Sequence, residues 1–206
     1  MLNASFCPQI MNLLYCKEMK PLASNKPQIL LVVGQPAAGK TFFAKQFSDT
    51  FKTIHVDYEH YHELLSSVEL GDKAVTEFLK ELFKTKQTII VEGRGESRHD
   101  RFLLANLARS KGYDLLIIWV QTDPQTIRQR VGRTGTYTAA SYEAKLAAFE
   151  PPDRTEQVLV ISGRHTFSGQ AKMVLKRIVT QRSASPLTMP PDRTSGNGTS
   201  GRITVN

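Results

Sequence analysis

QILLVVGQPAAGKT, Gln28 to Thr41, decides the fold. An apolar strand, Gln28 to Val33, runs into a glycine-rich turn and then into the start of a helix. The turn carries G-x-x-x-x-G-K-T, with Gly34, Gly39, Lys40 and Thr41 as its fixed members and Gln35, Pro36, Ala37 and Ala38 between them. Each type has a physical task. Glycine lets backbone N–H groups curl around a phosphate where a Cβ would obstruct. The helix that follows aims its positive N-terminal end at the same anion. Lys40 supplies a mobile positive charge for the outer phosphates, and the Thr41 hydroxyl is a ligand type for Mg²⁺. The stretch therefore predicts a nucleotide-phosphate site at the carboxyl end of a buried strand.

Outward from this loop, strands alternate with helices. A helix is expected from Gly39 to Thr50, burying Phe42, Phe43 and Phe47. A short strand, TIHV, ends at Val56 and delivers Asp57. Between Asp72 and Lys86, the residues Val75, Phe78, Leu79, Leu82 and Phe83 fall on one helical face. Thr88–Gly93 reads as a third strand, 99–111 as a helix stopped by Gly112, and Asp114–Val120 as a fourth strand. Asp123 caps a helix with Pro124 at its first position; this helix carries Arg128, Arg130 and Arg133 and breaks at Gly135. Ser141 to Phe149 is helical, Gln157–Ser162 is a fifth strand, and 168–181 is the last helix. The pattern predicts an α/β protein: a three-layer α/β/α fold of the P-loop NTPase type, with a five-stranded parallel sheet and a small helical lid. Residues 1–26 read as an N-terminal extension, 27–182 as the domain with its lid at about 124–150, and 183–206, rich in Ser, Thr, Pro and Gly, as a disordered tail.

The chain has 206 residues and a formal net charge of +8, which leaves a nucleic-acid partner open. Phosphate-handling enzymes need arginines in any case, and many basic residues lie between Arg94 and Arg133, with a second group at Arg164, Lys172, Lys176, Arg177 and Arg182. No apolar run is long enough to cross a bilayer. The N-terminus lacks a basic region ahead of its apolar part, which argues against a secretory signal. The only cysteines, Cys7 and Cys16, indicate no disulfide framework, so a reducing cytoplasm is the expected location. The sequence leaves the oligomeric state open.

Several side chains near the strand ends are candidates for chemistry. Asp57 either takes the proton from an attacking hydroxyl or caps the helix begun by YEHYHELL. Glu92 either holds Mg²⁺ through water or is a buried group bonded to loop backbone. Arg94 is placed to meet an acceptor; Arg98 and Arg101 are either solvated helix charges or contacts for an acidic substrate. The run Arg128 to Arg133 reads as a closing lid that steadies migrating negative charge, or as an exposed basic face. His55, His60 and His62 gather near Asp57 and Glu59 but lack ligand spacing for zinc.

With these residues in view, the stretch from about Pro27 to Arg182 resembles the small P-loop kinases of the adenylate-kinase-like group. The motifs are GQPAAGKT, HVDYEHY, IIVEGRGESRHDR, QTDPQTIRQRVGR and AAFEPPDRTEQVLVISG. They are most similar to the branch that includes polynucleotide 5′-kinases, with zeta-toxin kinases more distant. The resemblance implies ATP and Mg²⁺ as cofactors. It implies Asp57 as general base and Arg130 and Arg133 on the migrating phosphate. The segment Phe149 to Pro152 would lie near the adenine. After strand three, Glu92-Gly93-Arg94 departs from that branch's D-x-T/N pattern and is closer to other small-molecule kinases. Together the readings give a kinase acting on a hydroxyl of a small molecule or a nucleic-acid 5′-end. Lys40, Asp57, Arg130 and Arg133 are its catalytic residues. Gly34 to Thr41 and Arg128 bind nucleotide; Asp57, Arg94 and Arg98 bind the acceptor; Thr41 and Glu92 hold the metal. An NTPase, or a nucleotide-gated binding protein with a basic surface, is the alternative.

Overall fold

The computed structural model describes residues 26–135 and 137–183. Apart from Lys26 and Ser183, the expected N-terminal extension and C-terminal tail lie outside the described residues. In chain order the elements are β1 (Gln28–Val33), α1 (Lys40–Phe51), β2 (Ile54–Asp57), α2 (Tyr58–Leu65), α3 (Val68–Leu82), β3 (Ile89–Glu92), α4 (Arg98–Ser110), β4 (Asp114–Gln121), α5 (Pro124–Thr134), α6 (Ala139–Ala148), β5 (Val158–Ser162) and α7 (Phe167–Ser183). Among the described residues one sheet contains all five strands, in the order β2-β3-β1-β4-β5, and every pairing is parallel.

β1 is the central strand, and its side chains alternate between two cores. Ile29, Leu31 and Val33 face the layer that holds Val75 and Leu79 of α3 and Leu104 and Ala108 of α4. Leu30 and Val32 face Phe43 and Phe47 of α1 and Val174 and Ile178 of α7. Ile89 and Val91 against Ile90 in β3 divide the same way. A parallel strand covered on both faces must be apolar throughout, and the uninterrupted run ILLVV is the sequence expression of that. The expected three-layer α/β/α architecture is observed. Among the described residues no helix is long and apolar enough to cross a membrane.

Two local expectations are corrected. Phe42 is not a core residue; it is 59% exposed, while Phe43, Phe47 and Phe51 are buried. The buried three recur every four positions, and Phe42 lies about 100° around the helix from Phe43. α3 starts at Val68, ahead of the expected Asp72, because the Ser67 hydroxyl accepts a hydrogen bond from Leu70 N and caps the helix there. Its first turn exposes Val68 and Leu70, so the apolar periodicity begins later than the helix. Elsewhere Asp123 caps α5 as expected, its carboxylate accepting from Thr126 N at 2.9 Å, and Gly135 closes that helix at φ 58°.

Candidate active site

The loop Gly34–Gly39 leaves the central strand at its carboxyl end and enters α1. No side chain caps α1 at Gly39, so the positive end of the helix opens onto the loop. Gly34 has φ 149°, and a Cβ there would sit 2.4 Å from the Val120 carbonyl oxygen of the neighbouring strand. The loop can turn under its own sheet only because that position has no side chain. Lys40 Nζ folds back on the loop and donates to Gly34 O at 2.9 Å and Gln35 O at 3.2 Å. Burial pushes its ammonium below the ordinary lysine value, opposed by the attraction of Glu96, Glu59 and Glu92.

Asp57 and Glu92 are register partners at the ends of β2 and β3, so both carboxylates emerge at the loop edge. Glu92 is only 2% exposed. Its Oε2 accepts from the Thr41 hydroxyl at 2.8 Å and its Oε1 is 2.8 Å from His55 Nε2. Asp57 Oδ1 accepts from Glu59 N at 3.0 Å and caps α2. Burial, reinforced by the charge of Glu92, raises the Asp57 carboxyl above its ordinary range, against the pull of backbone N–H groups at His60 and Glu59. A hydroxyl and two carboxylates form an all-oxygen donor set, which fits Mg²⁺ better than a softer metal. Among the described residues no cluster of three His, Cys, Asp or Glu could cage a metal, so a cation held here would need phosphate oxygens as further ligands.

Arg130 reaches under the loop from α5. Its guanidinium donates to Ala37 O and Ala38 O at 3.2 and 3.0 Å and to Gly163 O at 2.9 Å. Thr122 Oγ1 donates to the same Ala38 O at 2.8 Å. The loop is thus buttressed from below by α5 and by the segment that follows β5. A Cβ at Gly163 would lie 2.2 Å from both Ala38 O and Thr122 Oγ1. Gly163→Ala is expected to cost about 1–3 kcal/mol of stability through this overpacking. It is also expected to weaken nucleotide affinity, measured by calorimetry beside thermal melting; an unchanged melting temperature and affinity would contradict the buttress.

Lys40, Thr41, Asp57, Glu92 and Arg130 line one cavity of about 680 Å³, together with Tyr137 and the Gly163–His165 segment. A second cavity, of about 360 Å³, adjoins it through Lys40, Glu59, Gly93 and Tyr137 and extends to Glu63, Glu96, Lys145 and Phe149. The other sequence-selected arginines are elsewhere. Arg94 pairs with Asp72 at 3.1 Å and stacks over Tyr58, 5.2 Å from its ring centre. Arg98 pairs with Asp153 at 3.1 Å. Arg128 and Arg133 lie exposed on α5. Arg101 is a buried tether and not a solvated charge. Phe149 packs against Trp119, with ring centres 6.3 Å apart. The three histidines diverge: His55 meets Glu92, His62 meets Asp72 at 2.8 Å, and His60 is exposed.

Sequence reasoning passed over Glu96, Tyr137, Lys145, Thr122 and Gly163, and named Glu59 only as a neighbour of the histidines. Lys145 on α6 forms an ion pair with Glu59 on α2 and lies 5.5 Å from the Tyr137 ring centre. Such pairs leave no local signal, because their partners are distant in sequence and nothing in the segment around Glu59 points to Lys145.

A parallel sheet of this strand order, with the phosphate loop after its central strand, defines the chain as a P-loop protein of the kinase-like α/β/α type. The zeta toxin family matches residues 12–134, more than half of the chain, and the chain belongs to that family. The motifs point first to the polynucleotide-kinase branch; the match supports the P-loop kinase group that the motifs imply and does not single out that branch. No curated protein matches the chain. Among solved structures, a sugar kinase from Janibacter sp. is 15% identical, with TM-score 0.61, covering 78% of this chain and 99% of that one. A gluconokinase from Sinorhizobium meliloti is 14% identical, with TM-score 0.56, covering 78% and 96%. The APS kinase of Mycobacterium tuberculosis, solved with AMPPNP and APS, is 13% identical, with TM-score 0.61, covering 76% and 99%. These likenesses establish the fold.

Proposed function

We infer that the protein is an ATP-dependent kinase that transfers the γ-phosphoryl group to a hydroxyl. The observation that carries this reading is the single cavity in which a phosphate loop, Lys40 and Thr41 face two strand-end carboxylates, Asp57 and Glu92. ATP supplies the phosphoryl group; Thr41 and Glu92 would hold Mg²⁺, which would supply charge neutralisation. The loop amides from Gly34 to Thr41 and the start of α1 cradle the phosphates. Lys40 leaves the carbonyls of Gly34 and Gln35 for the outer phosphates. Asp57 accepts the proton of the acceptor hydroxyl; its raised affinity for protons suits a base better than an ordinary aspartate would. Arg130 holds the loop in shape from below, and the exposed Arg128 and Arg133 are the arginines of α5 available to reach the nucleotide when the lid moves. The Gly163–His165 segment at the same cavity is where the base would lie. The solved neighbours named above, which are kinases, agree with this reading.

The test is ADP release against a panel of hydroxyl compounds that includes 5′-hydroxyl RNA and DNA. Acceptor-dependent ADP release supports the kinase. ADP release indifferent to every acceptor indicates an NTPase, and nucleotide binding without turnover indicates a nucleotide-gated binder. In the same assay Lys40→Ala is expected to lower turnover by about 10²–10³ through loss of one charge-assisted donor to the phosphates. Near-normal turnover in that variant would remove Lys40 from the mechanism.

A further inference from the structure

Glu92 is gripped from two sides. Thr41 on α1 donates to its Oε2 at 2.8 Å, and His55 on β2 lies 2.8 Å from its Oε1. The His55 contact follows from the strand. Side chains alternate along β2, so Val56 enters the core on one face of the sheet while His55 and Asp57 share the other. His55 is the register partner of Ile90, and Asp57 that of Glu92, which brings imidazole and carboxylate together diagonally across the two strands. A carboxylate that holds a metal is ionised and can only accept, so Nε2 carries the hydrogen of this bond. The Glu92 side chain is 3% exposed and that of His55 18%, so little water competes for it.

We propose that His55 is a positioning residue for the magnesium site: it fixes the orientation of Glu92 and so sets how tightly the nucleotide's metal is held, without itself touching metal, nucleotide or acceptor. The proposal rests on the reading of Glu92 as a metal carboxylate. A single hydrogen bond leaves a carboxylate free to turn about its last torsion, whose wells are broad. A second bond, on the other oxygen, removes that freedom and the entropy that metal binding would otherwise have to remove. The orientation held here turns Oε2 to the Thr41 hydroxyl, so the two expected ligands are already adjacent. Asp57 makes the restraint more necessary. It ends the neighbouring strand, and its carboxylate and that of Glu92 repel each other. His55 is not itself a ligand on this reading. Its Nε2 is engaged with Glu92, and an imidazole nitrogen is a poor match for Mg²⁺. Partners behind the ligands of a metal typically change its affinity by about 10–100-fold when removed.

Nucleotide affinity with and without Mg²⁺ gives a readout that needs no turnover. The full chain is titrated by calorimetry with a non-hydrolysable ATP analogue, once in excess Mg²⁺ and once in chelator, and the ratio of the two affinities measures the metal's contribution. His55→Val, which suits a strand but cannot donate, is expected to lower that ratio by about tenfold or more and to leave the metal-free affinity unchanged. His55→Gln, whose amide can offer an N–H to Oε1, is expected to recover most of the loss. Should His55→Val not fold, His55→Asn, too short to reach Oε1, takes its place. In a Glu92→Gln background His55→Val is expected to lower the ratio no further, because His55 acts only through Glu92. A normal ratio in His55→Val, with or without a lower melting temperature, overturns the proposal. So does a raised ratio, which would make His55 a competitor of the metal for Glu92, and so does a wild-type protein indifferent to Mg²⁺. A normal ratio in Glu92→Gln ends the metal role of Glu92 and this proposal with it; a lowered ratio there beside a normal one in His55→Val ends the role of His55 alone. The kinase reading is decided separately, by acceptor-dependent ADP release.

Discussion

Asp57→Asn is expected to lower turnover by about 10²–10⁴ while leaving ATP affinity nearly unchanged. The two halves of this result come from different atoms. Nucleotide contacts are expected from the loop amides and Lys40, which the substitution does not touch. The lost component is the negative charge that takes the acceptor's proton. Asparagine preserves shape and caps α2 nearly as well, since the cap is a single acceptor bond from Oδ1 to Glu59 N. Folding stability is expected to hold or rise slightly. A carboxyl whose proton affinity is raised in the folded state is destabilising when ionised, and the amide removes that cost. The pH profile adds an independent check. Asp57 must be ionised to act, so the acid limb of kcat/KM should lie above the ordinary aspartate range and disappear in the variant. Turnover within a few-fold of wild type would leave Asp57 as a helix cap alone and make Glu92 the next carboxylate to test.

Arg101→Ala is expected to destabilise the fold by about 3–5 kcal/mol. Arg101 is 1% exposed, yet it is fully engaged. Nε and Nη2 clasp both oxygens of Glu156 at 2.7 and 3.1 Å, and Nη1 donates to the carbonyls of Gly95, Glu96 and Glu150 at 3.0, 3.2 and 2.8 Å. Truncation leaves the buried Gly95 carbonyl and the half-buried carbonyls of Glu96 and Glu150 without this donor, and leaves the Glu156 carboxylate with only Asp153 N. For a domain of this size the melting temperature should fall by about 6–20 °C. Removing both charges together, as Arg101→Met with Glu156→Leu, is expected to recover much of the loss, because well-packed apolar groups replace buried ion pairs at little cost. A single-variant loss below about 1 kcal/mol would show that water enters the site and takes over the bonds.

Arg98 and Arg101 show what the sequence could and could not reveal. They are three residues apart on α4 and look alike in sequence. One is exposed beside Asp153, and the other is among the most buried side chains of the protein. The segment that covers Arg101 arrives about fifty residues later, so no local pattern distinguishes the pair. The loop Gly34–Thr41, the capped start of α5 and the central strand were legible because their causes are local: backbone geometry, a cap, an uninterrupted apolar run. Arg130 was legible as important but not in its placement. Its position depends on where β5 returns the chain to the loop. The wall formed by Glu63, Glu96 and Lys145 was not legible at all, since three separate elements contribute to it.

The central place of β1 bears on how the chain is made. β1 is synthesised first among the strands, yet its two partners are β3 and β4, and the later one ends at Gln121. At the usual pace of translation, about 5–20 residues per second, roughly 5–20 seconds separate the completion of β1 from that of its last partner. Throughout that interval ILLVV is an apolar strand with at least one unpaired edge, the kind of segment that joins other nascent chains. The strand that presents the phosphate loop is therefore also the part of the chain most in need of shelter at the ribosome.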